Sequence, residues 1–276
     1  ASDNTAVGKS ALAANTTGHS HTAVGFEALS ANTTAVENSA FGFQALKANT
    51  SGTGNTGLGR KTLFTNTSGS QLVAVGQGAL LNNTSGDSNV GVGYDSLLAN
   101  TTADNNTAVG YHSLTANTTG SPNTAVGESA LAANTTGARN TAVGSGALQT
   151  ETTGTDNIAI GHDALNDVTT ANFNIGIGSF AGDTITTGAS NTLVGYLAGT
   201  AITTAANNVA VGHGSLAANT TAAGNTALGR NSLAANTTAV GHVAVGFKAL
   251  EANTSGDQNT AVGSGAAETN TTGRNN

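Results

Sequence analysis

Hydrophobic and polar positions recur along this chain every seventeen residues. Asn4-Thr5-Ala6-Val7-Gly8 returns as His21-Thr22-Ala23-Val24-Gly25, then as Asn38-Ser39-Ala40-Phe41-Gly42. The step holds to Asn259-Thr260-Ala261-Val262-Gly263, so that sixteen copies fit between Asn4 and Asn275 without insertion or deletion. The consensus is N-T-A-V-G-x-x-A-L-x-A-N-T-T-G-x-x, whose columns are numbered here from one to seventeen. Column five is Gly and column thirteen is Thr in every copy; column one is Asn and column nine is Leu in thirteen copies each. Gapless registration excludes a string of independent beads and calls for copies stacked directly on one another. Seventeen residues are too few for helical-pair or propeller repeats, which need roughly 33 to 50, whereas one coil of a parallel β-solenoid fits.

Within a copy, columns two and four are β-branched or large (Thr5, Val7; Ile158, Ile160), and columns three and five are small. Period-two alternation of this kind predicts a short strand over columns one to five, with two and four on one face. Column two carries Val or Ile in several copies, which points it inward. The Gly in column five then turns the chain at positive φ. Ala-Leu in columns eight and nine predicts a second short strand, and Asn-Thr-Thr-Gly closes the coil. In the eleventh and twelfth copies Leu is lost from column nine (Gly182, Gly199), while Phe180 and Leu197 enter column seven and Ile185 and Ile202 enter column twelve. Such exchange predicts that columns seven, nine and twelve line one interior, and that the usual Asn of column twelve forms a buried ladder. The expected architecture is all-β: a parallel β-solenoid, or β-roll, of about sixteen coils, one continuous domain over 1–276. At about 4.8 Å per coil it would be a rod of about 75–80 Å. Its core is thin, and the small face of columns three and five suits close approach by another chain.

Composition narrows the function classes. Only 8% of the residues are charged and 4% aromatic, with no Cys, Met or Trp and a net charge of −7. Without Met, a processed product or a piece of something longer is expected. No apolar run approaches the ~20 residues of a membrane span. Eight Lys and Arg form no basic stripe, so no nucleic acid partner is expected. The six His are scattered, and His162-Asp163 is the only adjacent His-carboxylate pair; a general base also needs a positioned partner and a pocket. No catalytic, cofactor or metal site is expected, and Asp87, Asp104, Asp156 and Asp257 lack the regular spacing of calcium β-rolls.

Two candidate surfaces remain. Columns six and seven follow the turn Gly and vary most, making Phe26, Phe43, Tyr94, Tyr111, His112, Tyr196 and Phe247 a possible recognition ridge. Twelve copies carry Asn-Thr-Thr or Asn-Thr-Ser, formally glycosylation sequons at Asn15, Asn32, Asn117, Asn134 and their equivalents. An inward column twelve would close them to a glycan, leaving Thr or Ser of columns thirteen and fourteen as alternative sugar sites. Ranked Thr columns also suggest a different function, ice binding.

The strings Asn106-Thr107-Ala108-Val109-Gly110-Tyr111 and Asn123-Thr124-Ala125-Val126-Gly127 resemble the head repeats of YadA-like trimeric autotransporter adhesins. The full unit is similar to repeat arrays in bacterial and phage tail-fibre proteins. This resemblance covers essentially the whole chain and implies parallel β-rolls associated as a homotrimer at a cell surface or on a virion fibre. The adhesin unit is shorter than seventeen residues, and no membrane anchor, coiled-coil stalk or tail-fibre chaperone domain is found among these residues, so the resemblance implies neither a secretion nor an assembly route. The expectation is a non-catalytic extracellular structural or adhesive fibre segment. Its partners would be further copies of itself, as a trimer or an end-to-end filament, and surface glycans or a host-cell protein. No membrane insertion by this segment is expected.

Overall fold

The computed structural model describes residues 2–276. Every regular element is a three-residue strand: β1 (Thr5–Val7) to β8 (Thr124–Val126), then β9 (Thr141–Val143) to β16 (Thr260–Val262). The chain divides into two compact units, one ending at Ala138 and the other running from Arg139 to Asn276, with eight strands in each. Within each unit the strands pair in chain order, parallel and in register, every residue beside its equivalent seventeen positions on. Thr5 pairs with Thr22 and Ala6 with Ala23 in one unit; Ile158 pairs with Ile175 and Ala159 with Gly176 in the other. The fold is a β-solenoid of seventeen-residue coils.

The strand faces the opposite way from the expectation. Column three points inward: Ala23, Ala40, Ala74, Ala108, Ala159 and Ala210 are all fully buried. Columns two and four point outward and leave Val and Ile partly in solvent. The reason is the width of the coil. A Cβ added at Gly57 would lie 2.8 Å from Thr62 Oγ1, and one at Gly176 would lie 2.7 Å from Leu165 Cγ. Column three thus has space for little beyond Ala when column nine supplies Leu. Leu193 is the instructive exception, a fully buried column-three Leu in the second of the two successive copies whose column nine is Gly. A Cβ at Gly182 would meet Leu193 Cδ1 at 2.6 Å and Ile185 Cδ1 at 3.0 Å. Ile185, Ile202 and Leu193 therefore fill the space of the missing leucines. Phe180 and Leu197 do not; they are half-buried in the outer turn, where Phe180 lies edge-on to His162 with ring centroids 5.2 Å apart.

Columns eight and nine form no second strand. The chain from column six to column eleven is a run of turns in which columns seven and nine take positive φ in all sixteen copies, as at Glu27 (54°), Leu29 (49°), Lys61 (55°) and Leu63 (50°). Backbone bonds between coils replace the ladder, Leu29 N–H donating to Ala45 O at 3.1 Å and Glu27 N–H to Lys9 O at 3.0 Å. A left-handed residue costs about 1–2 kcal/mol, and fully burying a Leu side chain returns about 1.5–3 kcal/mol. β-Branched residues are the ones least tolerant of positive φ, and neither column seven nor column nine contains one. Leu97 is fully buried at φ 51°. Leu97→Ile, which keeps the volume, is expected to lower unfolding stability by about 2–4 kcal/mol, whereas Leu97→Met costs less than about 1.5 kcal/mol. Urea unfolding of the two variants measures the difference.

Candidate functional site

Two Asn ladders run through the interior and fix the coil-to-coil register. In column twelve, Asn66 Nδ2 donates to Asn49 Oδ1 at 2.9 Å, Asn83 to Asn66 at 2.9 Å and Asn100 to Asn83 at 2.8 Å. The expected ladder is present, and it runs unbroken in sequence from Asn15 to Asn134. Column one supplies a second ladder that sequence reasoning missed. Asn38 Oδ1 accepts from Asn55 N–H at 2.9 Å, and Asn38 Nδ2 donates to Gly52 O at 2.8 Å. Asn49 Nδ2 reaches the same carbonyl at 2.9 Å, so the two ladders tie one carbonyl from both sides. His21 can replace Asn in column one because its ring presents the same pair of groups. Its Nδ1 accepts from Asn38 N–H at 3.1 Å and its Nε2 lies 2.7 Å from Ala35 O. His242 does likewise, with Nδ1 3.2 Å from Asn259 N, and burial holds its pKa below the usual histidine value.

These ladders decide the fate of the buried sequons; Asn15 is half-buried, its Nδ2 donating to Gly18 O at 3.0 Å. Asn32, Asn117 and Asn134 are fully buried, and their amides are bonded inward, Asn32 to Asn15 at 3.0 Å and Asn134 to Asn117 at 2.9 Å. No glycan fits on an amide in that position.

The ridge residues fall into separate short stacks. Phe26 and Phe43 stack with centroids 5.3 Å apart and planes within 10°. Lys9 lies 5.9 Å from the first ring and Arg60 5.9 Å from the second, closing the stack with a cation at each end. Tyr94 and Tyr111 stack at 5.5 Å, and His112 covers Tyr111 at 3.9 Å. Tyr196 lies apart from these, between Phe180 at 6.3 Å and His213 at 5.4 Å. Phe247 sits between Arg230 and Lys248, each 5.8 Å from its centroid. The rings are exposed, but their faces are turned to neighbouring coils and cations. At the Phe26–Phe43 stack, closed by a cation at each end, a ligand meets ring edges rather than open aromatic platforms.

Asp87, Asp104, Asp156 and Asp257 are likewise engaged within the fold. Asp87 Oδ1 accepts from Ser70 N–H and Asp104 Oδ1 from Asp87 N–H, both at 2.7 Å. Asp156 forms a two-pronged ion pair with Arg139 at 2.7 Å, which holds its carboxyl below the usual range. His162 Nδ1 lies 3.1 Å from Asp163 Oδ2 on an outer turn. Among the described residues no pocket opens on the surface and no group of three metal-ligating side chains converges. Among the described residues no helix is long and apolar enough to cross a membrane.

The most extensive feature outside the core is the outward face of each strand sheet. Column four presents Phe41, Leu58, Val109, Val126, Ile160, Ile177 and Leu228, and column two adds Val73, Val209 and Val243, all exposed by 36% or more. Because the strands are in register, column four forms one apolar rank in each unit. Column two runs beside it as a mixed rank in which, over the whole chain, Thr or Ser, as at Thr5, Thr22, Thr107 and Thr124, outnumber Val and Ile. The chain matches no protein-family model, no curated protein and no solved structure.

Proposed function

We propose that the chain is a non-catalytic fibre segment of a cell or virion surface, whose outward apolar ranks pack against the same ranks of further copies as a homotrimer. One observation carries this reading: valines, isoleucines and leucines stand in solvent on the outward face of the strands, while the inward face of the same strands is mostly Ala packed on the buried leucines of column nine. Monomeric soluble proteins rarely expose contiguous apolar patches of this kind. Three copies placed around one axis bury equivalent surfaces in a closed ring, and the trimer is also what the resemblance to adhesin heads implies. The face for association is columns two and four, in place of the small face of columns three and five. In-register ladders make each unit stiff, and seventeen-residue additions lengthen such a fibre without altering its coil.

Ice binding is the weaker reading. It gains an outward Thr rank in column two, but Phe41 and Leu58 protrude beside that rank, and the column-thirteen hydroxyls are bonded to neighbouring carbonyls, as Thr16 Oγ1 is to Thr33 O at 3.0 Å.

Sedimentation tests the proposal. The 26.7 kDa chain is expected to sediment as a trimer, three times that mass. Leu58→Lys, Val109→Lys and Ile160→Lys, introduced together on the outward rank, are expected to weaken association at least a hundredfold, or about 3 kcal/mol. Circular dichroism should stay unchanged, since all three side chains point away from the core. A wild-type chain that is monomeric at high concentration overturns the reading.

A further inference from the structure

We infer that column fourteen is a rank of acceptor hydroxyls for O-linked glycosylation. It holds Thr or Ser in all sixteen copies, and all sixteen are exposed. The outer turn drifts freely by comparison; column six carries Lys9, Phe26, Gln77, Tyr94, Glu128 and Ser145. Column thirteen also keeps its hydroxyl throughout, but for an internal reason. Its Thr side chains donate to the equivalent carbonyl of the next coil, from Thr16 to Thr33 at 3.0 Å through Thr254 to Thr271 at 3.2 Å. Among the described residues no such bond holds a column-fourteen hydroxyl.

The backbone does not demand a hydroxyl there either. Thr17 N–H donates to Thr33 O at 3.2 Å, a bond open to any residue but Pro, and Asn, Asp or Gly serve equally well in turns. Nor is the hydroxyl the tail of an Asn-linked signal. In four successive copies column twelve is Glu151, Val168, Ile185 and Ile202, yet Thr153, Thr170, Thr187 and Thr204 remain. The hydroxyl outlasts the Asn and therefore answers to something else. Ser replaces Thr in several copies, Ser51 among them, so the methyl group is dispensable and the oxygen is the part retained.

A neutral sugar suits this rank better than phosphate. Phosphates would set close to two negative charges on every coil, about 4.8 Å apart. Asp87, Asp104 and Asp257 already stand two columns away, and the chain has only eight Lys and Arg. In the transfer, Oγ of the acceptor bonds to the anomeric carbon of a nucleoside-diphosphate sugar. The bond from that carbon to the phosphate oxygen breaks, the nucleoside diphosphate leaves with the electron pair, and the hydroxyl proton passes to a base of the transferase.

Intact-mass measurement on the chain isolated from its native host tests this. The expected spectrum shows additions in multiples of a monosaccharide residue, and fragmentation places them on column fourteen. Thr17→Ala, Thr34→Ala, Ser51→Ala and Ser68→Ala, expressed together in that host, should remove the sugars mapped to those positions without lowering the unfolding temperature. A bare chain, phosphate increments, or sugars carried on other columns overturns the inference. So does a loss of stability in the variant, which would give the hydroxyls a structural role.

Discussion

Gly161→Ala is expected to disrupt its coil, at a cost of at least about 3 kcal/mol. Gly161 sits at φ +136°, and a Cβ there would lie 2.6 Å from the carbonyl carbon of Gly178 and 2.7 Å from its oxygen. Two penalties combine. The conformation itself costs an L-residue of order 1–3 kcal/mol, and the obstruction is backbone, which has no rotamer to yield. Moving Gly178 aside would displace the next column-five Gly, because a Cβ on Gly178 would in turn be 2.7 Å from Gly195 O. The same contact recurs along the column from Gly8 to Gly246; at Gly263 a Cβ would meet only Ala266 Cβ at 3.9 Å, and there the φ of +130° alone favours Gly. Gly214→Ala is the matched control. Its φ is also positive, at +62°, but the nearest atom is Asn231 Oδ1 at 2.8 Å, the end of a flexible side chain. Column seven accepts Ser129, Asn231 and Lys248 in the same conformation, so this substitution should cost about 1 kcal/mol. Chemical unfolding of the two variants separates obstruction from strain; equal costs would refute the stacking argument.

The second large effect concerns pH. Glu151 occupies the column of buried amides and is itself fully buried. Burial pushes its pKa up to about 8, against the lowering influence of hydrogen bonds from Asn157 and Asn140; the amide of Asn140 lies 2.7 Å from Oε1. Its folded pKa thus lies above the unfolded value of about 4.3. Between those two values the folded chain holds a proton that the unfolded chain has lost, so stability falls as pH rises. The contribution is intact below about pH 4 and declines at about 1.4 kcal/mol per pH unit. It is spent above about pH 8, a total of the order of 5 kcal/mol. Glu151→Gln keeps the shape and the acceptor oxygen for Asn140 Nδ2, loses the second acceptor that Asn157 Nδ2 meets at 3.3 Å, and cannot ionise. Its unfolding free energy should overtake that of the wild type as pH rises from 5 to 9. His242 acts with the opposite sign, since burial lowers its pKa and its contribution is lost as pH falls. Both proteins carry His242, so the difference between them isolates Glu151. Parallel profiles would show that Glu151 is ionised in the folded chain.

Much of this architecture is written in the columns. The invariant Gly of column five announced positive φ, and Ile185 and Ile202 opposite Gly182 and Gly199 showed that column twelve faces the core. Alternation over Thr-Ala-Val divided the strand into two faces without saying which one is inside. The usual rule of large side chains inward failed because this coil closes too tightly to hold Val and Leu together. Leu193 carried the missing signal: a large residue in a small column, found only where column nine is Gly. The absence of Val, Ile and Thr from columns seven and nine encoded the left-handed turns that replace a second strand. The column-one ladder was visible as a preference for Asn, but its bonding depends on a carbonyl fourteen residues away, which no local pattern specifies. The ring faces of Phe26 and Phe43 were beyond reach for a similar reason, since only the stacked coils bring them together.

The central claim is that alanines line the coil while valines and isoleucines wait outside for another copy. Experimental density at side-chain resolution for the associated protein tests it most directly. The account predicts Ala108 against Leu97 and Leu114 inside one coil stack, with Val109 and Val126 packed on the equivalent valines of neighbouring chains. Valines packed within their own coil, with column three facing the partner, would contradict it.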